Sequence, residues 1–255
     1  MSPDRYLRTF DILKLLAERG TPLRLTEIKQ ALDLPVSSLH NMLQTMVTAE
    51  VVILDDDLRY AVGPRAVSLA LRTVQSLDVR TLARRPLQEL AREIGDDVYL
   101  GVRIGQRVLY ADRVLGTQRV SLDIRLGQPL MLHATATGKL LAAHDPQLSA
   151  KALAGKLPKS TPHTITNPQQ LQKEYDHILA QGFAKSDQES YEGVVGYAVP
   201  IRGGTQKVEA AVHVSVLAGR ATKAHERALL AAARTCAAQI EKLLGNEVSV
   251  AAFER

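Results

Sequence analysis

The 255 residues predict an α+β protein in two parts joined by a helix. Three observations lead there. Residues 25–43, LTEIKQALDLPVSSLHNML, read as helix, tight turn, helix. Residues 51–62 follow at once as a two-strand ribbon around the polar tip Asp55-Asp56-Asp57. From residue 78 onward, helices mix with strands that neighbour each other as hairpins do, the mark of an antiparallel sheet carrying helices.

Residues 5–19 form an amphipathic helix that buries Leu7, Phe10, Leu13 and Leu16, or Ile12 and Leu15 on an adjacent stripe. The cluster Gly20-Thr21-Pro22 ends it. The next helix turns Ile28, Ala31 and Leu32 inward and stops at Asp33-Leu34-Pro35. A third starts at Ser37, a suitable N-cap because its hydroxyl can accept from an orphan backbone N–H. Its residues Leu39, Met42, Leu43 and Met46 share an apolar face, leaving Ser38, His40, Asn41, Gln44 and Thr45 for solvent or a ligand. This is the layout of a helix-turn-helix with a wing, in which the second helix enters the DNA major groove. Helix–turn–helix triples also occur as plain packing units, but the ribbon that follows immediately favours a DNA-binding transcription factor.

Residues 65–77, RAVSLALRTVQSL, contain no turn signal and read as one connecting helix. The expected division is therefore a winged helix-turn-helix over 1–64, a linker helix over 65–77 and a second domain over 78–255. In that domain a helix with Leu82, Leu87, Leu90, Ala91 and Ile94 inward stops at Gly95. Strands at 97–103 and 108–114 pair around Gly105-Gln106, and a strand at 120–124 leads through Gly127 and Pro129 to a helix at 135–143. Helices at 146–153 and 168–181 come next, the latter capped by Asn167 and ended by Gly182. Strands at 196–202 and 208–216 precede a final helix at 223–244. Alternation in the last strand puts Ala211, His213 and Ser215 on one face and Val212, Val214 and Val216 on the other.

With 45% hydrophobic residues, no tryptophan and only 4% aromatics, the cores must be aliphatic. No apolar run approaches the ~20 residues that span a bilayer. The first ten residues carry charges where a signal peptide needs an apolar segment, so a cytoplasmic protein without membrane partners is expected. The single cysteine, Cys236, excludes an intrachain disulfide and a cysteine-based zinc cluster. It shares the apolar face of the last helix with Ala232 and Ile240. A net charge of +5 and a pI of about 9.3 invite a nucleic-acid reading, yet basic and acidic side chains cancel over residues 1–75. Charge can help only if Arg5, Arg8, Arg24, Lys29, Arg59 and Arg65 gather on one face.

The motifs also have a familiar order. They run DIL-x-LLA, then L-x-x-I-x-x-x-x-x-LP-x-S-S-x-H-x-x-L, then a wing ending Y-x-V-G, then RLGQPLMLHATATGKLLAAH, GFAKSDQESYEGVVGYAVPI and VEAAVHVSV. Collinear over almost the whole chain, this pattern resembles the IclR family of bacterial transcription regulators. The resemblance implies a winged helix-turn-helix, a linker helix and a C-terminal GAF-like effector-binding domain, in homodimers commonly paired into tetramers on DNA. The chain departs from it at Asn41, where the family usually carries a basic residue, at Asp33, commonly glycine, and at Gly196, often cysteine. The acidic wing tip would repel phosphates and is expected to stay out of the minor groove.

On double-stranded DNA, Asn41 and Gln44 are the candidate base readers, because Asn and Gln make paired hydrogen bonds to the N6/N7 edge of adenine. Ser37, Ser38 and His40 stand beside them, and Arg5, Arg24, Lys29, Arg59 and Arg65 are the candidate phosphate clamps. With so little net charge, a dimer on two half-sites is expected. In the second domain, HATATGK at 133–139 opens a helix whose free N–H groups and dipole suit a carboxylate at Ala136-Thr137-Gly138. The upstream G-x-x-x-x-G spacing of a nucleotide site is missing. The resemblance implies a pocket between this helix start and the sheet, lined by Leu130, Ala136, Thr137, Ser186 or Asp187, Gly196, His213 and Ser215. His213 could instead be a satisfied core histidine, and Asp187 and Glu189 could form structural hydrogen bonds around Gly193. Gly196 hints at extra room. The expected effector is a small organic acid, with aromatic acids among the candidates, and repression is preferred to activation. G-x-S-x-G, H-E-x-x-H and G-x-G-x-x-G are absent, so no catalytic residue or cofactor is expected. His133, Asp187, Glu189 and His213 are metal-ligand types, but without compact spacing no metal site is expected. The alternatives set aside are a metal-binding, hydrolase-like protein and an architectural DNA-binding protein without a ligand.

Overall fold

The computed structural model describes residues 4–75, 78–118, 124–203 and 207–251. The chain divides into two compact units, Met1–Ser76 and Leu77–Arg255. The first contains α1 (Asp4–Arg19), β1 (Leu23–Arg24), α2 (Leu25–Leu32), α3 (Val36–Thr48), β2 (Val52–Leu54), β3 (Arg59–Val62) and α4 (Pro64–Gln75). Its small antiparallel sheet runs β1-β3-β2. The two-residue β1 pairs Leu23 with Tyr60, too short a partner for sequence alternation to reveal.

Ile12, Leu16, Ile28, Leu39, Met42, Leu43, Met46, Val52 and Tyr60 form the core of this unit. Three expectations change. Leu7 and Phe10 are not buried: they are 63% and 72% exposed, while Ile12 and Leu16 face inward with Leu13 and Leu15 at the flanks. At 100° per residue, Leu7 and Phe10 lie on the opposite side of α1 from the Ile12–Leu16 stripe. Ala31 is also exposed, and Leu34 of the turn takes the buried place beside Ile28. Nor is Ser37 the N-cap of α3. Pro35 holds that position with φ −59°, the helix begins at Val36, and Leu39 N–H donates to Pro35 C=O at 3.0 Å. Proline presets the dihedral a helix start needs, so the cap lies two residues earlier than expected. Asp33 ends α2 in the left-handed region at φ 48°, which a short polar side chain tolerates.

The wing tip is built by its first acid. Asp55 N–H donates to Arg59 C=O, its C=O accepts from Leu58 N–H, and its Oδ1 accepts from Arg59 N–H at 2.8 Å. Asp55 therefore has turn chemistry as well as charge.

The second unit holds α5 (Asp78–Ile94), β4 (Asp97–Ile104), β5 (Arg107–Val114), α6 (Ala136–Ala143), α7 (Pro146–Ala154) and α8 (Pro168–Gln181). Then come β6 (Ala184–Asp187), β7 (Val194–Arg202), β8 (Val208–Leu217), a 3₁₀ turn at Ala218–Arg220 and α9 (Lys223–Ala251). The antiparallel sheet has the order β5-β4-β8-β7-β6. Helices α5 and α9 pack on one face through Leu87, Leu90, Leu229, Cys236 and Ile240 against Val98, Leu100, Val212, Val214 and Val216. The other face carries α6, α7 and α8 through Leu140, Leu141, Leu148, Tyr175 and Ile178, with Ala198 and Ala211 beneath. The alternation expected in β8 therefore holds.

Strand β6, AKSD, lacks β-branched residues and is identified only by its pairing with β7. The strand expected at 120–124 falls on positions of which 120–123 lie outside the described residues, and the expected linker end, Leu77, lies outside them too.

Candidate functional site

In the first unit, the exposed face of α3 carries Ser37, His40, Asn41 and Gln44. Ser38 is half-buried at its edge, and the opposite face, Leu39, Met42, Leu43 and Met46, is fixed in the core. Thr45 and Thr48 donate back to the carbonyls of Asn41 and Gln44 at 2.9 and 3.0 Å, so these hydroxyls are occupied. Arg24 opens α2 and its N–H donates to Glu27 Oε2 at 2.6 Å. Arg24, Lys29 and Arg65 are exposed and Arg59 is half-buried; of Arg5 only its place in α1 is described. The helix that would enter the groove therefore presents amides, an imidazole and a hydroxyl, and no Lys or Arg.

In the second unit, strand register assembles a second site. Ser186, Gly196 and Ser215 are neighbours across β6, β7 and β8, and Ala198, His213 and Tyr99 across β7, β8 and β4. Above them lies a cavity of about 110 Å³. Tyr110, the segment 128–131, Thr135, Ala136, Ser190, Tyr191 and the exposed Arg125 complete its walls.

Six of the expected residues meet here: Leu130, Ala136, Ser186, Gly196, His213 and Ser215. Three do not. Thr137 points at the sheet, with its methyl against Gly101 and its hydroxyl 3.4 Å from Tyr110 Oη. Gly138 N–H is taken by the Thr135 hydroxyl at 3.0 Å, the N-cap of α6, and a Cβ at Gly138 would stand 2.3 Å from Met131 O. The expected anion cradle at Ala136-Thr137-Gly138 is thus part-occupied by the protein's own cap. Asp187 is exposed and pairs with Lys185 at 3.5 Å, because alternation in β6 turns Ser186 inward and Asp187 outward.

The extra room expected at Gly196 is filled. A Cβ there would meet His213 Cε1 at 2.7 Å, so the imidazole occupies the space a side chain would need. Nor is His213 a satisfied core histidine: its buried Nδ1 has no hydrogen-bond partner. Tyr99 and Tyr110 flank the ring at centroid distances of 5.6 and 5.1 Å. Burial lowers its pKa from 6.5 to about 3, so it is neutral at pH 7. Burial likewise keeps the Tyr110 phenol protonated. Ser186 Oγ is engaged, donating to Ala134 C=O at 2.6 Å.

Tyr110, Arg125, Thr135 and Tyr191 were not foreseen as lining residues. Inward alternation along β5 could have suggested Tyr110; Arg125 and Tyr191 lie in loops, which have no period to read. A buried ionic cluster was also missed. Lys139 of α6, 1% exposed, donates to Glu189 at 2.6 Å and Glu174 at 2.8 Å. Thr164 Oγ1 donates to Glu189 C=O at 2.6 Å, fixing the segment that leads to Ser190 and Tyr191. Glu189 is thus structural, through Lys139 and not around Gly193. The four metal-ligand types do not converge. His133 Nε2 lies 3.0 Å from Pro158 O, Asp187 pairs with Lys185, Glu189 with Lys139, and His213 stands among tyrosines.

Comparisons with known proteins agree on one family. Residues 7–53 match the IclR helix-turn-helix domain, and residues 71–242 match the bacterial transcriptional regulator IclR C-terminal domain. The chain is 30% identical over 216 residues to the HTH-type transcriptional regulator XynR of Escherichia coli, covering 84% of this chain and 86% of that protein. It is 31% identical over 244 residues to the glycerol operon regulatory protein of Streptomyces coelicolor, covering 93% and 95%. Among solved structures, the IclR homologue of Microbacterium hydrocarbonoxydans complexed with 4-hydroxybenzoate superposes with a TM-score of 0.83 at 25% identity, covering 94% of this chain and 98% of that one. The Thermotoga maritima IclR gives 0.78 at 26% identity, covering 96% and 100%. With both domains matched and the α+β architecture shared, this chain belongs to the IclR family of bacterial transcriptional regulators.

Proposed function

We propose that this protein is a sequence-specific regulator, more readily a repressor than an activator, whose operator affinity is set by a small organic acid held in the cavity of the second unit. The cavity carries the reading. It has a neutral imidazole and three serines among its walls, an exposed arginine and no acidic residue among the described residues that line it. A structural neighbour with 4-hydroxybenzoate bound supports an acid of this size class. Apolar cavities of ~150 Å³ take benzene, so about 110 Å³ suits a short chain, and a ring where it extends into the open side of the cavity. The carboxylate is assigned to Arg125 and the start of α6, where Thr135 and Ala136 line the wall and the helix dipole is positive.

On DNA, which the protein meets in the cytoplasm, Asn41 and Gln44 read bases, with Ser37, Ser38 and His40 beside them. Arg5, Arg24, Lys29, Arg59 and Arg65 hold phosphates. Helix α4 serves as the linker between the DNA-binding and effector domains. Homodimers form through α1 and α4, whose Leu7, Phe10, Val67, Leu69 and Leu71 are exposed, and effector domains pair these into tetramers. An effector acts only by preferring one of two states, and a tenfold change in operator affinity needs about 1.4 kcal/mol of preference.

The test begins with a random-sequence DNA library from which the full chain selects its site. Binding to that site is then titrated with and without a panel of monocarboxylic acids. An acid that raises the melting temperature and shifts DNA affinity is the expected result. If no acid changes either, the effector reading fails; if the library yields no preferred sequence, the DNA reading fails.

A further inference from the structure

On the effector reading above, the unpartnered imidazole in the cavity names a ligand class. We infer that His213, lodged against Gly196, makes the site selective for monocarboxylic acids that carry a hydroxyl able to reach the imidazole. The imidazole is held on several sides. A Cβ at position 196 would come within 2.7 Å of its Cε1, so a glycine there is the condition for the ring's position. Tyr99 meets it edge-on at 5.6 Å, Tyr110 lies tilted at 5.1 Å, and the two tyrosines are 4.8 Å from each other. Within this aromatic cage Nδ1 is buried and has no partner. Buried polar atoms are almost always hydrogen-bonded, and His213 lines the cavity, so the occupant can reach the ring.

The chemistry of the ring selects that occupant. Its pKa is lowered to about 3 by burial, leaving one donor and one acceptor nitrogen. A hydroxyl can serve either nitrogen. A carboxylate can serve only the donor. Arg125 is the one Lys or Arg among the described lining residues, and it is exposed. The described lining therefore supplies one cation for one carboxylate, and the neutral imidazole supplies none for a second. Ser215, two residues along the same strand face, adds a hydroxyl beside the imidazole.

Calorimetry on the full chain tests this with benzoate, 4-hydroxybenzoate, terephthalate, butanoate and 4-hydroxybutanoate. In at least one hydroxy/unsubstituted pair, the hydroxy acid is expected to bind tenfold or more tighter, with terephthalate weaker than benzoate. His213→Phe keeps a ring and removes both nitrogens. It should reduce that preference to less than twofold while leaving the unsubstituted acid within about threefold of its wild-type affinity. Gly196→Ala, which displaces the imidazole without removing it, should have the same effect and covers the case in which His213→Phe does not fold. Arg125→Gln should weaken both members of the pair by a similar factor. Equal binding of both members by the wild type would overturn the role given to His213 and leave the effector reading standing. A hydroxyl preference that survives both His213→Phe and Gly196→Ala would overturn it in the same way. Binding of none of the five acids would overturn the effector reading itself, and this inference with it.

Discussion

His213 enters the folded state without a hydrogen bond at Nδ1 and with its pKa lowered from 6.5 to about 3 by burial. Above pH 6.5 it is neutral in both folded and unfolded chains and contributes no pH dependence. Below 6.5 the unfolded chain takes up a proton that the folded chain refuses, so stability falls with pH at about 1.4 kcal/mol per unit until roughly the folded pKa. Urea unfolding at pH 7 and pH 5.5 should therefore show wild type losing ~1–2 kcal/mol more than His213→Phe. Parallel losses would mean that the imidazole is solvated or paired in the folded protein. Lys139 poses the opposite problem, a buried cation with two acids. Burial raises the Glu189 pKa and Lys139 opposes that rise, so each group needs the other. Lys139→Met leaves Glu189 buried without its cation and should cost ~3–5 kcal/mol. Adding Glu189→Gln should recover part of that loss, and thermal melts of the single and double variants measure it. Additive losses would show that the two side chains do not depend on each other.

Helix α3 has one face in the core and one free, and their chemistry divides the work. Asn41→Ala should relax base preference at one operator position by ~1–3 kcal/mol and leave other positions alone. Arg24→Ala should weaken binding to all sequences and reduce the salt dependence of affinity. Quantitative footprinting on operator variants distinguishes the two, and a uniform effect from both substitutions would remove Asn41 as a reader. Helix α1 carries two apolar stripes, of which Ile12 and Leu16 face the core while Leu7 and Phe10 remain exposed. An exposed phenylalanine beside an exposed leucine on one helix is the surface a second chain would cover. Phe10→Glu should convert dimer to monomer in light scattering with little change in melting temperature measured on the monomeric state. An unchanged mass would place the dimer elsewhere.

Across the molecule, the two units have different ways of making a site. The helix-turn-helix presents consecutive residues of one helix, so its reading face is continuous in sequence. The cavity draws Tyr110, Arg125 with Leu130, Ser186, Gly196 and His213 from five separate stretches, brought together by the order of the sheet and by α6 lying across it. A change in one wall is therefore felt by others, as with Gly196 and the His213 ring. On the proposed function, a bound acid acts by favouring one of two states, so affinity for DNA and affinity for the acid should be measured on the same chain.

Local physics was legible in the residues alone. The apolar spacing of Leu39, Met42, Leu43 and Met46, the Asn167 cap and Gly182 stop of α8, and the alternation of β8 are all set by neighbours a few positions away. The family pattern was legible for the same reason, since it is an order of such local signals. Long-range packing decided the rest. Two apolar stripes on α1 satisfy the same periodicity, and only the position of α2 and α3 buries Ile12 in place of Phe10. The strand AKSD exists because Val194–Arg202 pairs with it. Lys139 looks like a surface lysine until Glu174 and Glu189 arrive from 35 and 50 residues away. Gly196 reads as empty space until the register of β7 and β8 brings His213 over it. Periodicity states which face of an element is apolar; what stands opposite that face is set by tertiary contacts that no local pattern encodes.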